Sequence, residues 1–360
     1  MRRLNLGTSL ALTASGALVL AGVLVSPVHA QALKKPALLL TLPDTCNTPD
    51  GTTLDARGNI IMSCPNFNND KFPALLMKID PQNRLSLFYK LPPHPETGKA
   101  GPLGLDFGPD GHLYVADNQC FNTDEYKSRL LRIHMKDGKP GKCDVAVDGF
   151  KVANAVIWRG DDVYVSDSVQ DKTFPVSHSH FASCIYRINI REFATGPVKL
   201  KPAGTDPHCI AKVWTGNRQL AFGADGLTFD DEGNLYCGNY GDGIVHKIAF
   251  DQTGKVVSNT VFAQGGPMKC CDGLFYDART KKIYVADSIL NAVQAVDLKG
   301  NITTVARNGD TDGADGSLDQ PCELIVRGRE LIAVNMDFPF PGLTNTTHDK
   351  PYTLSVIKLD

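Results

Sequence analysis

The chain has no Cys-x-x-Cys pair, which removes the usual zinc-ribbon arrangement. It has no Gly-x-Ser-x-Gly elbow, so a serine hydrolase of that kind is not indicated. A phosphate-binding loop and a dinucleotide fingerprint are also missing. Basic residues form no stripe. The nearest group, Lys136, Lys139 and Lys142, sits in a Gly/Pro turn and reads as a solvated loop, so nucleic acid is not an expected partner. Beyond residue 30 no apolar run is long enough to span a membrane.

The first thirty residues read as a leader. Arg2 and Arg3 precede an apolar stretch from Leu10 to Val25, and Val28-His29-Ala30 is a small-x-small cleavage site. That is the pattern of a secretory signal peptide over residues 1–30, and it predicts a secreted or periplasmic protein. Loss of two arginines takes the formal net charge from −2 to −4. All ten cysteines fall after the leader, and an even count in an exported chain favours disulfides. Their pairing is not readable, and the adjacent Cys270 and Cys271 are expected to have separate partners.

What remains, residues 31–360, is one repeated unit. The unit is an apolar strand, a turn with Gly, and a second strand ending in Asp or Asn. It occurs as GPLGLDFGPDGHLYVADN from Gly101, NAVIWRGDDVYVSDS from Asn154, ADGLTFDDEGNLYCGNY from Ala224 and CDGLFYDARTKKIYVADS from Cys271. Weaker copies start at Pro49 and Cys322. Turn residues such as Pro109-Asp110-Gly111 separate the apolar runs, so each copy is a β-hairpin. Two further strands follow each hairpin, the third ones at 74–80, 129–135, 184–190, 243–250, 292–298 and 353–359. The last unit has no fourth strand, and the run at 36–42 has no partner. Together they complete a sheet. The expected fold is all-β: a six-bladed β-propeller with four antiparallel strands per blade, the last blade closed by the N-terminal strand.

The first strand of a propeller blade lines the axis. The residues that open these strands are Asp50, Leu103, Asn154, Asp225, Asp272 and Glu323, spaced by 47 to 53 residues except for one gap of 71. Five of the six carry side-chain oxygens. Carboxylates at such close quarters repel and raise one another's pKa, and a hard cation relieves this. The expected metal ligands are Asp50, Asn154, Asp225, Asp272 and Glu323, holding Ca²⁺ or another divalent cation. The second strands end in Cys64, Asp117, Asp167, Asn239, Asp287 and Asn335, and the five Asp or Asn among them read first as strand-ending Asx residues.

The hairpins resemble the family of gluconolactonases, senescence marker protein (regucalcin) and luciferin-regenerating enzyme. The stretch ADGLTFDDEGNLY at 224–236 is similar to that family's Asp-Gly-Leu-x-x-Asp-x-x-Gly-Asn-Leu-Tyr. The resemblance implies a catalytic divalent ion at the channel mouth, held by a Glu from blade one and by Asn, Asn and Asp from blades three, four and five. Asn154 and Asp272 match. Asp50 is a shorter acid, Asp225 stands where Asn is usual, and Glu323 is extra. The activity implied is metal-dependent hydrolysis of lactones or related esters, on a small-molecule substrate, by a monomer. Asp272, then Asp225, would be base or nucleophile. His178 and His180, in the insertion of blade three, are acid–base candidates. NHL-repeat propellers are a competing resemblance, carried by NGDTDGADGSLDQPCELIV at 308–326. It implies a non-catalytic binding scaffold and a bland role for Asp310, Asp312, Asp315 and Asp319. A strictosidine-synthase-like lyase or condensing enzyme is the third reading.

Overall fold

The blades begin with a turn that one side chain builds. Asp55 Oδ1 accepts the backbone N–H of Arg57 and of Asn59, both at 2.9 Å, and its Oδ2 takes Asn59 Nδ2 at 2.7 Å. Asp230 grips Asn234 in the same way, at 2.8 Å from both its backbone N–H and its Nδ2. The glycine before each Asn, Gly58 or Gly233, has φ of +76° or +86°. This is why Asp-x-x-Gly-Asn recurs: Asp satisfies the turn, and Gly takes the left-handed conformation.

The structure is a computed structural model and describes residues 32–69, 71–123, 127–169, 181–201 and 205–360. The expected leader and both histidines of the blade-three insertion, His178 and His180, lie outside the described residues. From Leu33 onward the chain is one unit. Among the described residues no helix is long and apolar enough to cross a membrane.

The N-terminal strand β1 (Ala37–Thr41) is followed by blade one, made of β2 (Thr52–Leu54), β3 (Ile60–Cys64), β4 (Leu75–Ile79) and β5 (Leu85–Lys90). Blade two is β6 (Pro102–Phe107), β7 (Leu113–Asp117), β8 (Ser128–Lys136) and β9 (Lys139–Phe150). Blade three is β10 (Ala153–Arg159), β11 (Asp162–Asp167), β12 (Phe181–Asn189) and, after the short β13 (Val198–Lys199), β14 (Cys209–Thr215). Blade four runs β15 (Ala224–Phe229), β16 (Leu235–Asn239), β17 (Ile244–Phe250) and β18 (Val256–Gln264). Blade five runs β19 (Leu274–Asp277), β20 (Lys282–Asp287), β21 (Ala292–Asp297) and β22 (Ile302–Arg307). Blade six is β23 (Pro321–Arg327), β24 (Glu330–Asn335) and β25 (Thr353–Lys358).

β1 pairs antiparallel with β25, so the first strand of the chain is the outer strand of the last blade. The fold is a six-bladed β-propeller closed by its N-terminal strand. One element was not foreseen. β13 adds in parallel to β9 and gives blade two a fifth strand, covering an outer edge that would otherwise be open.

Burial explains the sequence pattern. Every residue of β3, β7 and β16 is buried, because neighbouring blades cover both faces, and such strands read as unbroken apolar runs. Outer strands have one wet face and leave Leu87, Trp214, Val257 and Val261 exposed. The core lies between blades. Tyr114 and Val147 of blade two pack with Val163, Val165 and Tyr186 of blade three. Met62 and Ile79 of blade one pack with Ile325 and Ile332 of blade six, across the closure.

The Asx residues that end the second strands hold the ring together. Asp167 is buried, and its two oxygens take the N–H of Val152 at 2.6 Å and of Lys151 at 3.0 Å, just ahead of β10. Asp117 does the same for Gly101 at 2.8 Å and pairs with buried Arg129 at 2.7 Å. Asp287 takes Lys269, and Asn335 takes Asp319. Each clamps the segment that enters its own blade's first strand. The ten cysteines are thiols here. Cys184 and Cys209 lie side by side across β12 and β14, whereas Cys270 and Cys271 contact Ser288 and Met268 respectively.

Candidate active site

Strand pairing sets one register at the mouth of the channel. The residue that ends the second strand faces Pro102, Ala153, Ala224 and Pro321 in blades two, three, four and six. The next residue in each is Leu103, Asn154, Asp225 and Cys322. Asp50 and Asp272 hold the equivalent place, each donating its N–H to the carbonyl just before the end of strand two, Ser63 and Ala286, at 3.0 Å.

The spacing argument put Glu323 in this ring, and the pairing corrects it. Cys322 has the ring position, and Glu323 lies one residue deeper. There the other blades have Gly51, Gly104, Ala155, Gly226 and Gly273. The small residues serve contact between inner strands. A Cβ on Gly226 would lie 2.4 Å from the Asp272 carbonyl oxygen, and one on Gly104 would lie 2.5 Å from that of Asn154. Glu323 turns its carboxylate into this layer. Its Oε1 takes the Leu324 N–H at 2.8 Å and would stand 2.2 Å from a Cβ on Gly273. It lines the channel below, about 310 Å³, rather than the mouth cavity above.

Glycine after the ring residue therefore decides how closely the ring closes. Gly226→Ala is expected to cost about 1–3 kcal/mol, as overpacking does. Gly309→Ala is the control, because nothing lies within 4 Å of its Cβ position. Equal melting temperatures for the two variants would show that the inner strands have room to part.

The mouth cavity holds about 40 Å³. Asp50, Asn154, Asp225 and Asp272 line it together with Leu103, so four of the five expected ligands share one cavity. Burial pushes the Asp50 carboxyl up to about 7. Asp225 is held well above the ordinary range by burial and then by the charge of Asp50. Asp272 is raised by burial and then by Asp225, Asp50 and Glu323. Glu323 is raised by burial, with Asp50 and Asp225 adding to it. Among the described residues no Lys, Arg or His forms an ion pair with any of the four. Asn154 Nδ2 is engaged by Ser168 Oγ at 3.3 Å, which leaves its carbonyl oxygen as the atom able to ligate.

This is a hard-oxygen donor set with no positive partner, and it fits a divalent cation in kind. It is more open than a closed site. The described acidic trio with one oxygen from each residue within 4.8 Å of the others is Asp319, Asp337 and Asp349, and no trio of the mouth meets that limit. Binding an ion at the mouth would draw the acids inward. The other trio lies in the loops of blade six, with Asp337 paired to His348 and Asp319 taking Asn345 Nδ2 at 2.6 Å. The neighbouring Asp310, Asp312 and Asp315 cap backbone N–H groups of Thr346, Ala314 and Ser317.

The walls of the mouth carry no repeat signal and were missed. They are Phe121, Val152, Phe222, Tyr240, Met336 and Phe340. Each comes from a segment flanking an inner strand, where no periodicity marks it. Tyr240 is fixed by Ser288, whose hydroxyl donates to the Tyr240 oxygen at 3.5 Å.

Comparison with solved structures shows the same architecture at low identity. A gluconolactonase from Xanthomonas campestris matches with a TM-score of 0.56 at 14% identity, over 91% of this chain and 96% of that one. A calcium-binding protein, regucalcin, from Agrobacterium tumefaciens matches with 0.58 at 14% identity, over 91% and 96%. The PQQ-bound aldose sugar dehydrogenase of Streptomyces coelicolor also matches, with 0.58 at 14% identity, over 91% and 99%. Likeness at this level shows the fold. No curated protein sequence matches the chain. The model of the SMP-30/Gluconolactonase/LRE-like region matches residues 74–259, just over half of the chain. That span holds blades two and three entire, with Asn154 and Asp225 of the mouth, and the chain belongs to this family.

Proposed function

We propose that this chain is an exported hydrolase of lactones or related esters that depends on a divalent cation, most simply Ca²⁺, at the channel mouth. One observation carries the reading: Asp50, Asp225 and Asp272 line the mouth together with Asn154, none of the three acids has a cationic side-chain partner among the described residues, and Glu323 lies in the layer below. The family adds weight, since it takes its name in part from gluconolactonases.

Asp50, Asn154, Asp225 and Asp272 would hold the ion, with Glu323 supplying charge from the layer below. When bound, the cation polarises an ester carbonyl and makes a nearby water more acidic. The chain's own part is proton handling and exclusion of water. Asp272, braced by Ser288, takes the proton of the attacking water or attacks the carbonyl itself, with Asp225 next in line. A carboxylate whose basicity is raised by burial suits that task near neutral pH. Export would also put Cys184 and Cys209 where a disulfide between them persists.

The test is metal analysis of protein purified without chelator, together with a panel of lactones and aryl esters. One divalent ion per chain is expected, with hydrolysis abolished by chelator and restored by calcium. A protein free of divalent ions whose activity ignores chelator would end this reading. Retained metal without hydrolysis would favour the binding scaffold.

A further inference from the structure

A much larger space adjoins the mouth. Beside it, between blades one and two, lies a groove of about 730 Å³, within the range of small-molecule pockets. Phe121 lines both spaces. The groove is walled further by Phe67, Phe72, Leu91 and Phe338 on its aromatic side and by Asn66, Thr97 and Asn122 on its polar side, with Lys71 and Lys90 exposed at its edge. The aromatic rings form one connected collar from groove to mouth. Phe67 and Phe121 are 4.7 Å apart between ring centroids, Phe121 and Phe338 5.4 Å, Phe338 and Phe340 5.1 Å, and Phe340 and Tyr240 6.0 Å.

At the mouth itself polar groups are sparse. Apart from the ring, the mouth presents Asn118 and the hydroxyl of Tyr240. Asn118 is spent on the Ala153 carbonyl and the Cys120 N–H, and the Tyr240 oxygen accepts from Ser288. A substrate rich in hydroxyls would bury several of them without partners, at a cost for each. The mouth cavity, about 40 Å³, is small beside the groove of about 730 Å³. Phe121 borders both spaces, so the rest of a larger substrate can lie against it.

From this collar we infer the substrate class: a lactone or ester with a long alkyl or aryl arm, its carbonyl over Asp225 and Asp272 and its arm in the groove between Phe67, Phe121 and Phe338. The inference rests on the hydrolase reading for the reacting group, and on the groove for the arm. Phe121 and Phe338 are the specificity-determining side chains, because Phe121 borders both spaces and Phe338, in ring contact with it, walls the groove. A polyhydroxylated sugar lactone is a poor fit.

Binding and turnover are separable in the test. Two lactams that resist hydrolysis are titrated calorimetrically against the full chain with calcium present: a δ-lactam with a heptyl tail, and the polyhydroxylated lactam of a hexonic acid. The heptyl lactam is expected to bind at least about tenfold tighter. Phe121→Ser and Phe338→Ser should each weaken it about tenfold and leave the polyhydroxylated lactam unchanged, whereas Phe338→Leu restores most of the affinity. Leu87→Ser, on the exposed outer strand of blade one, should change neither. Equal affinity for the two lactams, preference for the polyhydroxylated one, or equal weakening of both by the Ser variants would overturn the inference. Hydrolysis of the two corresponding lactones is then measured. The expected binding pattern without hydrolysis of either lactone supports the ligand class and overturns the hydrolase reading. Faster hydrolysis of the sugar lactone supports that reading and overturns the class.

Discussion

Asp272→Asn is expected to lower kcat/KM for ester hydrolysis by about three orders of magnitude and, in chelated protein at pH 8, to raise the melting temperature. The two effects have one cause. Burial and the charges of Asp225, Asp50 and Glu323 all oppose ionisation of Asp272. Its amide analogue keeps shape and hydrogen bonding but loses the charge, so the repulsion goes. The same change removes a charged ligand for the cation and the group that handles the proton, and each role alone is worth roughly 10²–10⁴ in rate. A site that is destabilised by its own function shows this opposition of stability and activity. Steady-state kinetics and a thermal melt on one preparation check both parts. Hydrolysis that survives the substitution would remove Asp272 from the role of base or nucleophile. A melting temperature that falls would mean that the ring carboxylates are not repelling one another.

Chelated protein should melt lower as pH rises from about 5 to 8, and calcium should reverse most of that fall. A buried carboxyl with a raised pKa holds its proton in the folded state after the unfolded chain has released it. Protons then bind more tightly to the folded protein, and the stability they contribute is present below the unfolded pKa and lost as pH rises through the folded one. For Asp50 that window runs from its ordinary value of 3.8 to about 7. Asp225, Asp272 and Glu323 add to it with the same sign. A cation takes the place of those protons, so its stabilisation grows with pH. With the ion at a thousand times its Kd, linkage gives about 4 kcal/mol, or a shift on the order of 5–10 °C for a domain of this size. Asp319, pushed up to about 8 by burial and then by Asp337, lies in the other acidic trio and titrates with the same sign. Asp319→Asn is therefore the discriminating control. A calcium shift that persists in this variant and vanishes in Asp225→Asn places the ion at the mouth. The opposite pattern moves it to the loops of blade six, and a calcium shift equal at pH 5 and pH 8 would contradict the electrostatic account.

The six repeats were plain in the sequence because each blade's hairpin is built by local chemistry. Asp55 or Asp230 closes its turn with atoms two and four residues away, and a second strand covered on both faces is apolar throughout. The split sixth blade was also readable, since one strand too few at the C-terminus and one too many at the N-terminus have one economical solution. Four residues of the mouth were found because they open the first strand of their repeats, and in each a small residue follows, a Gly after Asp50, Asp225 and Asp272 and an Ala after Asn154. Blade six breaks that habit with Cys322-Glu323-Leu324, and the spacing of the repeats slid the ring position by one. Only the pairing of β23 with β24, with its irregularity between Pro321 and Glu323, shows that the acid lies a layer deeper.

The ring of acids with which the sequence was credited is thus a smaller set with a different floor. Sequence determined the blade count, the closure and the residues that open most inner strands, because all of these follow from near-neighbour turns and strand periodicity. Tertiary structure decided the depth of Glu323, the clamping role of Asp117 and Asp167, and the aromatic collar of Phe67, Phe121, Phe222, Phe338 and Phe340. Those rings come from parts of the chain up to 273 residues apart and touch only once the propeller closes, so no local pattern could announce them.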